Sequence, residues 1–472
     1  MRLFLYNLLF LLCSASCAAG KTPGYVTAGK NCPGYFELDG RGWLPVSINY
    51  LPADGNGDDD DEPEFAEIEE YFRNFARNGI NAIRVWISGD FLEIEHEAEG
   101  VYDSARFRRI DRFLELAAKY EIRVKFTLQH IRFISPERTR RDGWATSTAL
   151  STSFGGIDEY VTTRRGRQSY YNRAKALADR YADNPDIYAW ELWNEMDAAA
   201  WKDAGWLGFT EEMLPRIQAL FPNHLVMQTL GSLDTEGAER SYRKLFDIES
   251  NKFVAVHRYL DRADRTYDEV KGDIDDLVRS AVDFAREYVL DRPVVINEIG
   301  AVEPNHSGPS RLYLRDTVGM LLHDMVFAPF FCGAAGSGSM WHWDHYIRRN
   351  GLWCHFKRFA RATKGIDLQS ECFTNFVYDA GDLRFYGLKG RTQTLIWCRN
   401  RVDNWQRELA DGKMPEVVRN VRVCVDDLIP GANYAKVEFY APWSNAKMKA
   451  RVKKGMIVLP VVGRSLVIKL FY

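Results

Sequence analysis

The chain has 472 residues, of which 46% are hydrophobic and 27% are charged, and this is the composition of an ordinary globular protein. Its net charge of −3 provides no basic surface for nucleic acid, so we expect no nucleic-acid partner. The length is sufficient for two domains, or for one large domain and one smaller domain.

The segment 1–20 has the features of an export signal. A single arginine, Arg2, precedes a short apolar run and a group of small residues, a pattern that is typical of a secretory signal peptide and too short to span a bilayer. Two processing sites remain open, lipidation at Cys17 or cleavage within residues 18–20. We therefore expect an exported protein that is periplasmic, extracellular or a cell-surface lipoprotein. A lipid anchor at Cys17 is the one link to a membrane that we expect.

Neither the cysteines nor the acidic stretch 54–64 has the spacing of a metal site. The chain has eight cysteines, two of them in the signal segment, and they form no CxxC pair and no Cys/His cluster. One or two disulfides are compatible with export, but the spacing does not pair the cysteines, and buried free thiols are the simpler expectation for most. The acidic stretch lacks the glycine and glutamate positions of an EF-hand and is interpreted as a solvated loop.

Between Gly42 and Lys364, short apolar runs alternate with stretches of helical periodicity. The predicted strands are residues 43–50, 81–87, 122–130, 187–195, 225–231, 252–260, 293–300 and 333–344. Short apolar strands that alternate with helices form parallel βα units. Eight such strands favour an α/β fold of the closed (β/α)8 TIM-barrel type. A doubly wound open sheet is the alternative, and it is disfavoured because no Gly-rich phosphate loop follows the first strand.

The pattern changes after Asp367, where short alternating runs between turn residues replace the helical stretches. This predicts a small all-β sandwich domain. The chain is thereby divided into a signal segment (1–20), a barrel (21–366) and an accessory sandwich (367–472). The aromatic residues of the sandwich either bind carbohydrate or pack as part of a rigid cap on the barrel, and the cap is favoured. These residues are Trp397, Trp405, Tyr440 and Trp443.

Two glutamates stand at the ends of predicted strands. Glu195 ends the run "IYAWELWNE", and Glu298 follows the apolar run of "VVINEIG". The carboxyl ends of barrel strands meet at the active-site face, so the two carboxyl groups are expected over one pocket. Glycoside hydrolysis uses such a pair, one as a proton donor and the other as a nucleophile or base. We expect Trp190 and Trp193 to raise the pKa of Glu195 by providing apolar surroundings.

Other polar and aromatic candidates stand at neighbouring strand ends. They are Arg84 in "IRVW", His130 in "LQH", Asn194 in "WNE", His257 and Tyr259 in "HRY", and Trp341 and Trp343 in "MWHW". Together with the two glutamates, they make residues 30–365 similar to glycoside hydrolase clan A, and most similar to family 5. The motif "NEMD" after the fourth strand and the motif "NEIG" in the seventh depart from the usual family pattern, and this leaves the sugar open.

The resemblance implies a retaining β-glycoside hydrolase that forms a covalent glycosyl–enzyme. Glu298 is the implied nucleophile and Glu195 the implied acid/base. Asn194 is expected to bind the sugar 2-hydroxyl, while Arg84 and Tyr259 hold Glu298. The expected substrate is a β-linked polysaccharide or oligosaccharide of β-mannan or β-glucan type, and no cofactor is expected because two carboxylates and water suffice.

The remaining candidates are expected to contact the sugar, and each has a simpler alternative. His257 and Tyr259 share one face of a strand, although an isolated histidine is more often packed in a core. His130 is a third polar contact. Trp341 and Trp343 are expected on the same face of the eighth strand, and Trp341 is favoured as the floor of the site. Two other functions remain open, a noncatalytic surface glycan-binding protein and a transglycosylase that uses the same residues.

Overall fold

The computed structural model describes most of the chain. The described residues are 24–52, 61–89, 91–135, 145–200, 203–263, 272–431, 433–453 and 455–472. The predicted signal segment with Cys17, and most of the acidic stretch 54–64, lie outside them. Within the described ranges, no helix is both long enough and apolar enough to cross a membrane.

A small antiparallel sheet that the sequence did not predict comes first. Its strands are β1 (Val26–Ala28), β2 (Phe36–Leu38) and β3 (Arg41–Trp43). The ring of Phe36 lies 5.4 Å from that of Phe253, and the ring of Trp43 lies 5.2 Å from that of Tyr188. Phe253 and Tyr188 lie at the starts of two parallel strands. The small sheet therefore covers the amino ends of those strands.

Seven parallel strands follow, in the order that the apolar runs predict. They are β4 (Ser47–Asn49), β5 (Ala82–Trp86), β6 (Arg123–Thr127), β9 (Ile187–Glu191), β10 (Leu225–Met227), β11 (Val254–Leu260) and β12 (Val294–Ala301), with the short pair β7 (Phe133–Ile134) and β8 (Thr146–Ser147) between β6 and β9. Hydrogen bonds join them in the orders β10-β9-β6-β5-β4 and β11-β12. Single parallel bridges extend these groups, from Ser232 to His257 and from Met340 to both Ile48 and Ile299.

Helices separate the parallel strands. They are α1 (Glu62–Arg77), α2 (Ser104–Lys119), α3 (Ile157–Thr162), α4 (Arg164–Tyr181), α5 (Met196–Ala199), α6 (Asp203–Leu220), α7 (Glu236–Phe246), α8 (Ile274–Tyr288), α9 (Met320–Phe331), α10 (Cys354–Ala362) and α11 (Leu368–Glu371). The side chains of Asp103 and Thr235 cap α2 and α7 by accepting backbone hydrogen bonds. All residues of α9 are buried, because this helix lies between the parallel strands and the C-terminal sheet.

The eighth predicted strand, residues 333–344, is confirmed only in part. The backbone N–H groups of Ala335 and Ser339 donate to the carbonyl oxygens of Val294 and Ile296, and Met340 bridges to Ile48 and Ile299, but no continuous strand is assigned and a π-helical turn covers Trp343–Arg348. The small-residue segment before Met340 passes close to other elements. A Cβ atom added to Gly338 would lie 2.1 Å from the carbonyl oxygen of Met325, and one added to Gly336 would lie 2.8 Å from Pro45.

The C-terminal segment is built mainly of antiparallel strands, as its alternating pattern predicts. The strands are β13 (Thr374–Ala380), β14 (Leu383–Lys389), β15 (Gln393–Asn400), β16 (Arg422–Cys424), β17 (Lys436–Ala441), β18 (Ala446–Met448), β19 (Arg451–Lys453), β20 (Met456–Val458) and β21 (Ser465–Phe471), with the one-turn helix α12 (Val425–Leu428). They form a six-stranded sheet in the order β13-β14-β15-β21-β17-β18 and a three-stranded sheet in the order β16-β20-β19. The two sheets share a buried apolar cluster that includes Phe385, Ile457 and Ile468.

The other face of the six-stranded sheet packs against α8 and α9. Arg399, which is buried, pairs with Asp324 of α9 at 2.8 Å and with Asp275 of α8 at 3.2 Å. The aromatic residues that were candidates for sugar binding belong mostly to this contact and are buried or half-buried; they are Trp397, Trp405, Tyr440 and Trp443. This arrangement favours the packed cap over a row of exposed aromatic side chains.

One disulfide, Cys32–Cys372, joins the segment between β1 and β2 to the residue after α11. The remaining described cysteines are free, with Cys332 and Cys398 buried and Cys354 and Cys424 half-buried. One disulfide and several free thiols agree with the expectation from the sequence, which could not pair the cysteines.

Candidate active site

Two glutamates face one cavity at the carboxyl ends of the parallel strands. This central cavity has a volume of about 500 Å³. It is lined by Leu51, Trp86, Arg132, Asn194, Glu195, Tyr259, Glu298, Val302, His306, Gly308, Trp341 and His342. A second, outer hollow of about 330 Å³ adjoins it and shares Leu51, Trp341 and His342 with it.

The two carboxylates and one histidine lie close together. One oxygen of Glu195, one oxygen of Glu298 and a ring nitrogen of His257 all lie within 4.8 Å of one another. His257 in β11 is the register partner of Glu298 in β12, so adjacent strands deliver these two side chains. In the described part of the chain, this is the only group of three such side chains with spacing for a metal ion. Both carboxylates also accept hydrogen bonds from protein donors, an arrangement that suits acid–base and nucleophilic chemistry.

Glu195 enters the cavity through a sharp turn of the backbone. Its φ and ψ angles are 53° and 59°, in the left-handed region. This conformation costs on the order of 1–3 kcal/mol for a residue with a side chain, and such strain is concentrated at functional sites. The turn is held because the backbone N–H of Glu195 donates to Thr229 Oγ1 at 3.2 Å, while its carbonyl accepts from the N–H of Ala198 at 2.9 Å.

Glu298 is held by two donors, and the ring of His257 lies near it. Arg84 Nη1 lies 2.5 Å from Oε1, the hydroxyl of Tyr259 donates to Oε2 at 2.7 Å, and His257 Nδ1 lies 3.4 Å from Oε2. The carboxylate is buried, with 4% of its surface exposed. Its orientation is therefore fixed on both oxygens. The structure places Arg84 and Tyr259 against Glu298, as the resemblance implies.

Glu195 has a different set of partners. His257 Nδ1 lies 3.0 Å from Oε1, and the guanidinium of Arg132 contacts Oε2. Burial raises the pKa of Glu195, but the hydrogen bond from His257 and the positive charges of Arg132 and Arg84 outweigh it and lower the pKa below its ordinary value. The structure therefore lowers the pKa of Glu195, where a raised pKa was expected.

The two tryptophans that were expected to provide apolar surroundings for Glu195 face the helices instead. Trp190 stacks on Phe221 with ring centroids 4.3 Å apart, and Trp193 stacks on Tyr170 at 5.9 Å. Both indoles are fully buried. They stabilise the packing between the strands and the helices and do not line the central cavity.

Beneath the cavity, Arg84 joins two carboxylates. It pairs with Glu191 through two bonds, from Nε at 2.6 Å and from Nη2 at 2.7 Å, and with Glu298 through Nη1. Nη2 also donates to Asn194 Oδ1 at 2.7 Å, so the same guanidinium fixes the asparagine expected at the sugar 2-hydroxyl. Glu191 is completely buried, and Arg84 lowers its pKa to about 2 against the opposing effect of burial.

A directed chain of hydrogen bonds reaches His257 from below. The ammonium of Lys125 contacts Asn297 Oδ1, and Asn297 Nδ2 lies 2.9 Å from His257 Nε2. Lys125 donates to the amide oxygen of Asn297, so the NH2 group of Asn297 faces the ring of His257 and donates to it. His257 Nε2 is then an acceptor, and the proton lies on Nδ1, where it is donated to Glu195.

We expect the Lys125→Met substitution to change how the stability of the protein depends on pH. Burial lowers the pKa of Lys125 to about 7. Between that value and an unfolded value of about 10.4, the unfolded chain binds more protons than the folded chain. The free energy of unfolding of the wild type should therefore rise, relative to that of Lys125→Met, as the pH increases from 7 to 10, and should show no such relative rise below 7.

Urea denaturation of both proteins across this pH range measures the effect. Lys175→Met is the matched control, because Lys175 is 52% exposed and pairs with Asp179 on the surface of α4. The control curve should run parallel to that of the wild type. A Lys125→Met curve that is also parallel would mean that Lys125 is not buried as a base of low pKa.

Of two predicted sugar contacts, Trp341 and His130, only Trp341 lies at the central cavity. Trp341 lines the central cavity and lies 4.9 Å from Trp86. His130 does not line the cavity, so its assignment as a direct sugar contact is not supported. Its ring stacks on Trp86 at 4.6 Å, and its Nδ1 lies 2.5 Å from Ser88 Oγ. His130 therefore supports Trp86, because it follows β6, which pairs with β5.

Trp343 is a second correction. It was expected on the same face as Trp341, but it packs between Tyr50 at 5.2 Å and Tyr71 at 5.0 Å. Its ring is 8% exposed and borders only the outer hollow. Two-residue alternation fails here because the extended segment ends near Met340 and the π-helical turn begins at Trp343.

Several residues at the site were missed by the sequence analysis. Trp86 had a signal, since it lies two residues after Arg84 in β5 and alternation puts both on one face. Glu191 had the same kind of signal, as a carboxylate inside an apolar run. Arg132 and His306 had none, because they come from loops whose paths depend on distant contacts.

Two mannan endo-1,4-beta-mannosidases are similar to parts of this chain. The probable mannan endo-1,4-beta-mannosidase F of Aspergillus oryzae is 24% identical over 224 residues, which is 44% of this chain and 43% of that protein. The chain thus spans less than half the length of this fungal relative. The mannan endo-1,4-beta-mannosidase 7 of Arabidopsis thaliana is 23% identical over 357 residues, which is 66% of this chain and 77% of that protein.

Solved structures share the fold over nearly the whole chain. A glycoside hydrolase family 5 protein from Bacteroides vulgatus matches with a TM-score of 0.58 at 11% identity, covering 95% of this chain and 94% of that chain. The model of the family described as "Cellulase (glycosyl hydrolase family 5)", whose fold is the (β/α)8 barrel, matches residues 57–322. This match covers more than half of the sequence, and the chain therefore belongs to glycosyl hydrolase family 5.

Proposed function

We propose that the protein is a retaining β-glycoside hydrolase that cleaves a β-linked polysaccharide of the mannan type. The observation that carries this proposal is the approach of Glu195 and Glu298, which have oxygens within 4.8 Å of each other. Retaining enzymes hold their two carboxyl groups about 5–5.5 Å apart, whereas inverting enzymes leave about 6.5–9.5 Å for a water molecule. The short separation favours direct attack by a carboxylate.

Glu298 is the proposed nucleophile, because Arg84 and Tyr259 fix both of its oxygens and it lies deeper than Glu195. One oxygen forms a bond to the anomeric carbon while the bond from that carbon to the leaving oxygen breaks. Glu195 gives its proton to the leaving oxygen. In the second step, Glu195 takes a proton from water, and the water oxygen displaces Glu298 from the anomeric carbon, which restores both carboxyl groups.

The aromatic and amide groups of the cavity are proposed to hold the sugar. Trp341 and Trp86 offer flat apolar surfaces for a pyranose ring, and Asn194 is fixed by Arg84 for a hydrogen bond to the 2-hydroxyl. The named relatives support mannan over glucan. The outer hollow extends the cavity past Trp341, which suits a substrate longer than one sugar.

The remaining parts of the chain have proposed roles outside the chemistry. We propose that the parallel strands close into an eight-stranded barrel, with the bridges through Ser232 and Met340 as the joining points. Residues 21–366 form this barrel domain, and residues 367–472 form a sandwich that serves as a rigid cap. Export with a signal segment at 1–20, through cleavage or lipidation at Cys17, remains part of the proposal.

A test with activated substrates addresses the proposed function directly. The protein is incubated with 2-deoxy-2-fluoro aryl β-mannoside and β-glucoside, and intact-mass spectrometry followed by peptide mapping is used to find a glycosyl adduct. We expect an adduct on Glu298, formed faster with the mannoside. Sugar binding without any adduct would instead support the noncatalytic glycan-binding alternative.

A further inference from the structure

Lys125 is a buried cation below the central cavity, and the proposed chemistry does not use it. It lies in β6 with 2% of its surface exposed. A carboxylate oxygen of Glu191 is 4.0 Å away, beyond hydrogen-bond distance, and Glu191 is already bound twice by Arg84. The ammonium donates instead to the side-chain oxygen of Asn297. A buried ammonium is costly without such a partner, so this bond fixes the amide of Asn297 with its oxygen towards Lys125.

An extra residue in β12 brings Asn297 to the histidine of the neighbouring strand. His257 in β11 is the register partner of Glu298 in β12, and the residue before His257 is the partner of Ile296. Asn297 is therefore unmatched, as in a β-bulge, and bulges redirect side chains next to active sites. The consecutive residues Asn297 and Glu298 thus reach the same imidazole, with Asn297 Nδ2 2.9 Å from Nε2 and Glu298 Oε2 3.4 Å from Nδ1.

The surroundings of His257 favour a positive charge on its ring. Nδ1 lies 3.0 Å from Glu195 Oε1 as well as 3.4 Å from Glu298 Oε2, and a nearby opposite charge favours the charged form of a group. The other charged groups that act on the ring or on Glu195 are Glu191, Asp197, Arg84 and Arg132. A second proton on the ring has to be placed on Nε2, where the NH2 group of Asn297 already points.

We propose, on the basis of the proposed function, that Lys125 and Asn297 are positioning residues that keep the imidazole of His257 neutral. Lys125 holds the amide oxygen of Asn297, so the amide hydrogens face Nε2 and leave no acceptor for a proton there. His257 then gives Glu195 a single neutral donor, the Nδ1–H group. An imidazolium in the same place would hold Glu195 ionised more strongly, and Glu195 would lose its catalytic proton at a lower pH.

The protonation of the ring is tested in the wild-type protein by 15N NMR with labelled histidine. The chain has nine histidines, so the signals of His257 are identified by their absence from the spectrum of His257→Gln. Spectra are recorded at about pH 6, below the value of about 7 to which burial lowers the pKa of Lys125. We expect one protonated nitrogen, Nδ1, and one bare nitrogen, Nε2, which resonates far downfield. Two protonated nitrogens would overturn the proposal.

Two variants should convert the ring to an imidazolium. In Lys125→Met the amide of Asn297 is free to turn its oxygen towards Nε2, and in Asn297→Asp a carboxylate oxygen faces Nε2 directly. The NMR spectra of both variants should then show two protonated nitrogens on His257. Asn297→Asp replaces one NH2 group by an oxygen, so it keeps the packing of the site even if Lys125→Met does not fold.

The pH dependence of kcat/KM gives the functional readout. With β-1,4-linked mannotetraose, whose leaving group needs a proton, the alkaline limb of the profile reports the loss of the proton from the acid in the free enzyme. We expect this limb to move down by about one pH unit in both variants, which lowers kcat/KM on the limb about tenfold. The loss should be smaller with an activated aryl β-mannoside, because its leaving group departs without a proton donor.

The direction of the shift separates this mechanism from a simple charge effect. Lys125→Met removes a positive charge and Asn297→Asp adds a negative one, so by charge alone Glu195 would keep its proton to a higher pH and the limb would move up. A limb that moves up or stays in place in either variant would overturn the proposal. Lys175→Met is the control, because Lys175 is 52% exposed on α4, and its profile should match that of the wild type.

The proposed function and this inference fail separately. An adduct on Glu298 with the fluoro-mannoside, combined with a doubly protonated His257 in the wild type, would leave the function standing and overturn the role of Lys125. The absence of any adduct and of turnover would overturn the function and the catalytic consequence together, while the NMR spectra would still decide whether Lys125 and Asn297 hold the ring neutral.

Discussion

Replacing Glu298 with alanine should reduce kcat by a factor on the order of 10⁵–10⁶, the scale seen when a covalent nucleophile is removed. The chain should still fold, because a small side chain fits the space and the donors Arg84 and Tyr259 keep other partners or face the cavity. Steady-state rates with an activated aryl β-mannoside measure the loss. Added azide, a small anion that fits the vacated space, should restore turnover and give a glycosyl azide of inverted configuration.

Glu195→Ala should behave differently with the same substrate. An activated leaving group departs without a proton donor, so the first step continues and the glycosyl–enzyme on Glu298 accumulates. Azide should then give a glycosyl azide of retained configuration. Glu287→Ala, a change at an exposed position of α8, serves as the matched control. If Glu298→Ala retained more than about 1% of wild-type kcat, the carboxylate would not be the nucleophile.

The positions of the two glutamates could be predicted because they depend on local pattern. An apolar run with helices on either side becomes a buried parallel strand, and the carboxyl ends of such strands share one face. The pattern therefore places Glu195 and Glu298 at that face without any knowledge of loops. The same reasoning, with the motif "HRY", also brought Tyr259 to the correct strand.

The errors have equally physical causes. Alternation assigns Trp343 to the face of Trp341 only if the chain stays extended, and it does not, since small residues bring the segment against Pro45 and Met325 and a π-helical turn follows. The position of Arg132 depends on the hydrogen bond to Ala145, thirteen residues along the chain. Contacts of this kind are not encoded in the spacing of apolar residues.

The lowered pKa of Glu195 was missed for a related reason. An apolar run suggests apolar neighbours, but alternate residues of a barrel strand face opposite sides. Trp190 therefore faces the helices, while Glu191 faces the interior with Arg84. The charges around Glu195 come from other strands and from the loop that carries Arg132, so sequence alone could not balance burial against them.

Arg84→Met should destabilise the fold by about 3–5 kcal/mol at pH 7, because it leaves Glu191 as a buried charge without its two-bonded partner. Arg84 also holds Glu298 and Asn194, so kcat should fall in the same variant. Urea denaturation measures the stability, and activity on an activated aryl β-mannoside measures the loss of orientation. A stability within about 1 kcal/mol of the wild type would show that the pair is not structurally important.

The pH dependence and a second substitution separate this mechanism from a simple loss of packing. In the wild type the pKa of Glu191 is about 2, below an unfolded value of about 4.3, so its stabilising effect is present above pH 4.3 and is lost as the pH falls towards 2. The difference between the wild type and Arg84→Met should therefore shrink on acidification. The double variant Arg84→Met/Glu191→Gln should be more stable than Arg84→Met alone, because it removes the buried charge that has lost its two-bonded partner. A packing defect would instead persist in both proteins and at every pH.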